Sequence, residues 1–270
     1  MNLLTLVSCL APDQGEQLLR PIFMAVTLTL FGSAWADDEI LATPYRPSVS
    51  TPAQLSAPGW LEGEFGLQRL TGPDSVRRES LPYSLKYAFT HDWGVRVSGD
   101  SYVRYTDNGS ATVVGGGDTA IVLKRRFASN HSSAFGLELG VNFPTAKSGL
   151  GSDKTNYSVN CIYSTDLDEW HMDLNLIGAR VGHIDADQGR WQATWAGALS
   201  HPLNEKWGIV GEFSGTQQRG IAATAQFLTA FSYSFSKGTV FDIGAAAGLN
   251  HSTPNMTVFS GVTLLLGKVH

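Results

Sequence analysis

From Phe135 the chain alternates apolar and polar positions without a break. Phe135, Leu137, Leu139, Val141 and Phe143 fall on one face, and Gly136, Glu138, Gly140 and Asn142 on the other. A period of two is the signature of a strand with two different environments. After a loop rich in Gly, Ser and Lys (144–154), a second run sets Tyr157, Val159, Cys161 and Tyr163 against Asn156, Ser158 and Asn160. A short polar turn over 165–169 leads to a third, with Trp170, Met172, Leu174 and Leu176 opposite His171, Asp173 and Asn175. The same pattern recurs on both sides of this segment, so the expectation is about twelve antiparallel strands over residues 60–270.

Alternation alone does not say which face is inside, because a soluble sandwich buries its apolar face and a membrane barrel turns it to lipid. Length decides. The runs hold roughly nine to twelve residues, the reach of a tilted membrane strand rather than the five or six of a soluble one. Turns alternate short and long along the chain, as in up-and-down barrels with short periplasmic turns and longer extracellular loops. Trp93, Trp170 and Trp207 each follow a charged turn residue at the start of a rising strand. Indoles at one level suit a membrane interface. The fold class expected is therefore all-β, a transmembrane antiparallel up-and-down barrel.

That reading assigns a face to every charge. Glu62, Glu64, Asp100, Glu138, Asp173, Glu212 and Asp242, with Arg78, Lys86, Arg96, Arg104, Lys124 and Arg126, fall on the polar, inward face, and Val103 and Tyr105 on the outward one. The lining is either a closed network of ion pairs and amides or a narrow polar conduit. Twelve strands lie between barrels filled by side chains and open porins. Candidate lumen or solute-path residues are Glu62, Glu64, Arg96, Asp100, Arg104, Glu138, Asn142, Asn160, Asp173, Asn175 and Glu212.

Composition supports the picture. Only 16% of residues are charged and 29 are glycine, and no apolar run approaches the 18 residues of a membrane helix. A net charge of −5 argues against a nucleic-acid partner. At the N-terminus, Arg20, the apolar run 22–31 and Ala34-Trp35-Ala36 read as a secretory signal within residues 1–36, behind an extension that points to Met24 as an alternative start. Cys161 alone would survive its removal, which excludes an intramolecular disulfide.

Residues 37–59 hold Pro44, Pro47, Pro52 and Pro58, too many for a helix or an inner strand. This tail either hangs in the periplasm or folds into the lumen. The lumen is favoured, because Arg46 could reach Glu62 and Glu64 there.

No catalytic constellation is present: no Gly-x-Ser-x-Gly, no phosphate-cradling Gly-x-x-x-x-Gly-Lys and no His-Glu-x-x-His. The sequence calls for no enzyme activity, metal or cofactor.

Several stretches resemble a known family. Pro144-Thr145-Ala146, Gly149-Leu150-Gly151-Ser152, Lys154-Thr155-Asn156-Tyr157-Ser158 and Trp170-His171-Met172-Asp173-Leu174-Asn175 are similar to outer-membrane proteins of the MetA-pathway of phenol degradation family. Tyr45-Arg46-Pro47, Ala57-Pro58-Gly59-Trp60-Leu61-Glu62 and Asn204-Glu205-Lys206-Trp207-Gly208 extend the likeness over most of the chain. The resemblance implies a barrel in the bacterial outer membrane, in contact with its lipid, inserted by the outer-membrane assembly machinery and passing small aromatic or hydrophobic solutes. It fixes no binding residues. The chain ends Leu266-Gly267-Lys268-Val269-His270, without the terminal aromatic of many such barrels. The functional expectation is a passive channel. The alternative is a closed structural or adhesive barrel whose loops do the work.

Overall fold

The computed structural model describes residues 40–73, 76–107, 111–130 and 132–269. The expected secretory segment, 1–36, and the first three residues of the tail lie outside them. Among the described residues thirteen strands are formed: β1 (Trp60–Thr71), β2 (Arg77–Ala88), β3 (Trp93–Thr106), β4 (Val113–Gly115), β5 (Thr119–Ala128), β6 (Ser133–Phe143), β7 (Asn156–Leu167), β8 (Trp170–Arg180), β9 (Trp191–Pro202), β10 (Trp207–Gln218), β11 (Ile221–Ser236), β12 (Thr239–Gly248) and β13 (Met256–Lys268). Each long strand pairs antiparallel with its neighbours, and β1 pairs with β13 to close the ring. Twelve strands make the wall. The three-residue β4 is a short addition to the upper end of β3. Closure leaves the twelve-stranded wall, among the described residues, without a free edge, the condition for crossing a bilayer with strands.

The large apolar side chains face out. Leu139, Leu174, Leu176, Trp195, Phe213, Phe231 and Ile243 are all exposed, while Glu62, Glu64, Lys86, Lys124, Glu138 and Glu212 are buried inside. This inverts a soluble core, and it is the arrangement of a barrel whose outer solvent is lipid. The three tryptophans lie at the end of the barrel where β1 begins and β13 ends. Trp170 stacks on His201 at 4.6 Å, Trp207 packs on Tyr233 at 4.9 Å, and the Arg125 guanidinium lies 5.0 Å over Trp93.

Three details differ from the sequence reading. The ladder of β7 runs on to Leu167, so the expected turn over 165–169 shrinks to Asp168 and Glu169, with Asp168 at φ 57°. Asp tolerates that conformation better than most residues. The connection from β10 to β11 is also a two-residue turn, Arg219-Gly220, with Gly220 at φ 78°, so the alternation of short and long connections fails there.

The third difference moves a charge. Ser80 pairs with Val103 and Pro82 with Asp100, so Ser101 and Tyr102 together face Leu81. Pro82 has no N–H to give the ladder, and strands accommodate proline at bulges. The Ser101 hydroxyl donates to the Leu81 carbonyl at 3.1 Å. The extra residue flips the phase of β3: Val103 is fully buried and Arg104 is turned outward, its side chain 54% exposed. The sequence had assigned these two residues the opposite faces.

Candidate functional site: a plugged lumen

Residues 40–58 run through the barrel interior without regular secondary structure. An extended segment inside a barrel has backbone donors that no sheet satisfies, and burying them unpaired is costly. The inward side chains of the wall take them up. The N–H of Thr43 donates to Glu62 at 2.9 Å and that of Tyr45 to Glu64 at 2.7 Å. Glu212 accepts the N–H groups of Val49 and Ser50 at 3.1 and 2.8 Å, and the Ser50 hydroxyl at 2.7 Å. Thr51 donates to Asn175 at 3.1 Å and Ala53 to the Ser164 hydroxyl at 2.7 Å. In the other direction, Lys86 donates to the Thr43 carbonyl at 2.6 Å, Asn175 to that of Thr51 at 2.9 Å, and Lys124 to that of Pro52.

Tyr45 occupies the middle of this assembly. Its hydroxyl donates to the Gln54 carbonyl at 2.7 Å, which folds the tail back on itself. Its ring meets two ammonium groups, Lys86 at 3.9 Å and Lys124 at 4.3 Å from the centroid. Lys86 is also paired with Glu62 and Glu64, and Lys124 with Glu138 at 3.4 Å. Cation–π contact and ion pairing together satisfy two buried lysines.

Arg46 does not reach Glu62 or Glu64, the partners its sequence position suggested. It pairs with Asp242 at 3.4 Å and donates to the Ser260 carbonyl at 3.2 Å. Gly66 and Gly261 face each other across β1 and β13, and a Cβ on either would come within 2.5 or 2.6 Å of the Arg46 side chain. The paired glycines form the notch in which the guanidinium lies.

The remaining candidates divide by depth. Arg96 lies 3.6 Å from Glu138, and Asn160 bridges Glu138 and Asn175 at 3.1 and 2.9 Å beneath the tail. Asp173, near the periplasmic mouth, accepts from Ser164 and meets the His171 ring at 3.2 Å. Asp100 pairs with Arg78 at 2.8 Å towards the extracellular mouth. Asn142 donates to Asp118 and Ser152, both at 3.0 Å. Arg104 is outside the lumen.

Asp118, absent from the sequence-level candidates, organises the extracellular mouth. It accepts the N–H and hydroxyl of Ser152 and the N–H of Ala146, holding the 144–155 loop inward so that Leu150 is buried. Arg78 grips the same loop through the Leu150 carbonyl at 3.2 Å. Burial alone would push the Asp118 carboxyl up, but the hydrogen bonds from Ser152, Ala146 and Asn142 outweigh it and hold the group below the usual carboxylate range.

Two cavities flank the tail. The extracellular one holds about 670 Å³ and is two-sided: Leu70, Leu228, Ala246 and Phe259 form an apolar strip, and Arg78, Arg96, Asp100 and Glu138 a charged one. Leu228, Ala230, Ala246 and Phe259 pack into one apolar cluster on the inner wall, which the sequence reading had treated as uniformly polar. The periplasmic cavity holds about 620 Å³ and is lined by the tail, His171, Asp173, Ser200 and His201.

A closed twelve-stranded barrel, apolar outside and polar within, is a transmembrane barrel of the bacterial outer membrane. Residues 112–266 match the family described as "Putative MetA-pathway of phenol degradation", and the chain belongs to that family. No curated protein matches it. Among solved structures, it is similar to the COG4313 outer membrane channel from Pseudomonas putida F1, at 13% identity over 78% of this chain and 97% of that one, with a TM-score of 0.64. It is also similar to the KdgM porin (12% identity, 76% and 99% covered, TM-score 0.54) and to the CymD monoaromatic hydrocarbon channel (11%, 79% and 90%, TM-score 0.51). At these identities the likeness is one of fold.

Proposed function

We propose that the protein is a passive outer-membrane channel for small hydrophobic or aromatic solutes that also carry a polar group, with the tail as the element that closes its lumen. The observation that carries this reading is the two-sided extracellular cavity. The Phe259 and Leu228 strip offers an apolar surface for a ring, and Arg78 and Arg96 across the cavity offer donors for a carboxylate or hydroxyl. A solute site typically combines such an apolar lining with a few placed polar groups. An apolar cavity of about 150 Å³ already holds benzene, so 670 Å³ leaves ample room. A fold relative described as a monoaromatic hydrocarbon channel is in keeping with this reading.

The second reading, a closed structural barrel, draws on the density of hydrogen bonds around the tail. Liposome uptake separates them. The channel reading expects faster entry of benzoate-sized aromatics than of sugars of similar mass, and a Phe259→Ala, Leu228→Ala double substitution that narrows this preference. Correctly folded protein with no uptake of either class, with or without the tail, would establish the closed barrel.

A further inference from the structure

The phase flip in β3 turns Arg104 to the outside of the barrel, where it joins arginines that β1 and β2 already present there. Arg69, Glu79 and Arg104 pair in a row across β1, β2 and β3, and all three point outward, Arg69 and Arg104 each with 54% of the side chain exposed. Arg77, two residues along β2 from Glu79, is exposed on the same face. Glu79 lies 3.9 Å from both Arg69 and Arg104. One carboxylate at that distance, shared between two guanidiniums, leaves most of their donors unused.

The level of this cluster is set by the strand. Arg69 is nine residues beyond Trp60, which at about 3.3 Å per residue and a tilt of about 40° is roughly 23 Å across the membrane. The apolar band of such a barrel is about 25 Å tall, so the three arginines stand where the outer-leaflet headgroups begin. Adjacent strands are about 4.8 Å apart, so the cluster rims an area about 10 Å across.

Against the cluster lies an apolar groove in the outer wall. It holds about 590 Å³, its lining includes Leu67, Leu81, Tyr102, Ile243 and Val258, and its upper end is formed by Arg69 and Glu79. A second hollow of about 760 Å³ shares Leu67, Leu81 and Ile243 with it and continues the groove over the wall. Cations at headgroup level above an apolar groove at acyl level match one kind of molecule, an amphiphile with an anionic head. Guanidinium forks suit phosphate in particular.

We infer that the outer face of β1–β3, through Arg69, Arg77 and Arg104, binds a phosphate-bearing, multiply acylated glycolipid of the outer leaflet, its acyl chains lying in the groove beside Leu67, Tyr102 and Ile243. The site is independent of transport. It would fix the rotational setting of the barrel against the surrounding lipid.

The test is native mass spectrometry of the full mature protein, refolded in detergent with bis-phosphorylated lipid A. The wild type should retain the lipid at least ten-fold better than Arg69→Gln/Arg104→Gln, and at least ten-fold better than it retains the same lipid stripped of phosphate. Glu79→Gln, which removes the only carboxylate in the row, should tighten retention, and it keeps the inference testable should the double variant fail to fold. Arg125→Gln, at the opposite rim, should leave it unchanged. Equal retention by a folded double variant, equal retention of the dephosphorylated lipid, or weaker retention by Glu79→Gln would overturn the inference. So would displacement of the lipid by millimolar inorganic phosphate, which would make this a free-phosphate site.

Discussion

The carboxylate of Glu212 holds Ser50 twice, through its backbone N–H at 2.8 Å and its hydroxyl at 2.7 Å. Glu212 is 0% exposed, and a buried carboxylate needs donors wherever it can find them. Here they come from the tail. The tail and the wall therefore depend on each other: the tail satisfies a wall charge, and the wall satisfies tail backbone. Removing residues 40–57 should raise single-channel conductance in planar bilayers while heat-modifiable migration on gels still shows a folded barrel. Glu212→Ala should give the same change in smaller degree, because the tail keeps its contacts with Glu62, Glu64 and Asn175. Conductance unchanged by the deletion would mean the tail does not obstruct the path.

The glycine notch offers a finer probe. At Gly66 the nearest atoms a Cβ would meet all belong to the far end of the flexible Arg46 side chain, whereas at Gly261 they include the Phe65 carbonyl at 2.7 Å. Gly66→Ala should dislodge Arg46 from Asp242 and raise conductance with little loss of barrel stability. Gly261→Ala should destabilise the barrel itself, by about 1–3 kcal/mol as overpacking usually does. Urea unfolding in lipid vesicles distinguishes them, and equal midpoints for the two variants would refute the distinction.

Leu139 and Leu174 face lipid, 48% and 44% exposed. Arginine at either position near the midplane should cost about 2–4 kcal/mol, read as a lower folded yield in vesicles. The inward positions Asn160 and Asn175 are also sensitive, for a different reason: both are buried in the network under Thr51. Alanine there should leave assembly intact and loosen the tail, which protease accessibility of the tail would report.

Asp118 predicts a pH dependence for the extracellular mouth. Its carboxyl is held below the usual value, so its contribution to loop closure is fully present above the ordinary carboxylate range and is lost as pH falls through the lowered value. On acidification below the ordinary aspartate value of about 3.9 the 144–155 loop should become more mobile, visible as rising open-channel current noise, with no change between neutral pH and that value. Asp118→Asn should show that noise already at neutral pH and little further change on acidification.

Most of the barrel wall was legible because alternation is a local signal, renewed every two residues. The inward faces of Glu62, Glu64, Glu138 and Glu212 needed no knowledge of their neighbours. Arg104 was misplaced because a bulge changes the phase of everything beyond it, and β3 itself carries no mark of one. The mark was on the facing strand, where Pro82 cannot complete the ladder. The Arg46–Asp242 pair spans 196 positions, and nothing local distinguishes Asp242 from the other inward carboxylates. The glycines opposite it were the available clue. The apolar cluster around Phe259 escaped notice because alternation identifies a face but does not require it to be polar.

The attachments of the tail are distributed around the ring: Glu62 and Glu64 on β1, Lys86 on β2, Lys124 on β5, Ser164 on β7, Asn175 on β8, Glu212 on β10 and Asp242 on β12. No pair of neighbouring strands supplies all of them. Although it precedes β1 in the chain, it has no complete binding surface until β13 has met β1, so its full seating requires a closed ring. Its ordering records that the ring has closed with every strand in register, and a barrel that closed one residue out of step would leave the tail with nowhere to lie.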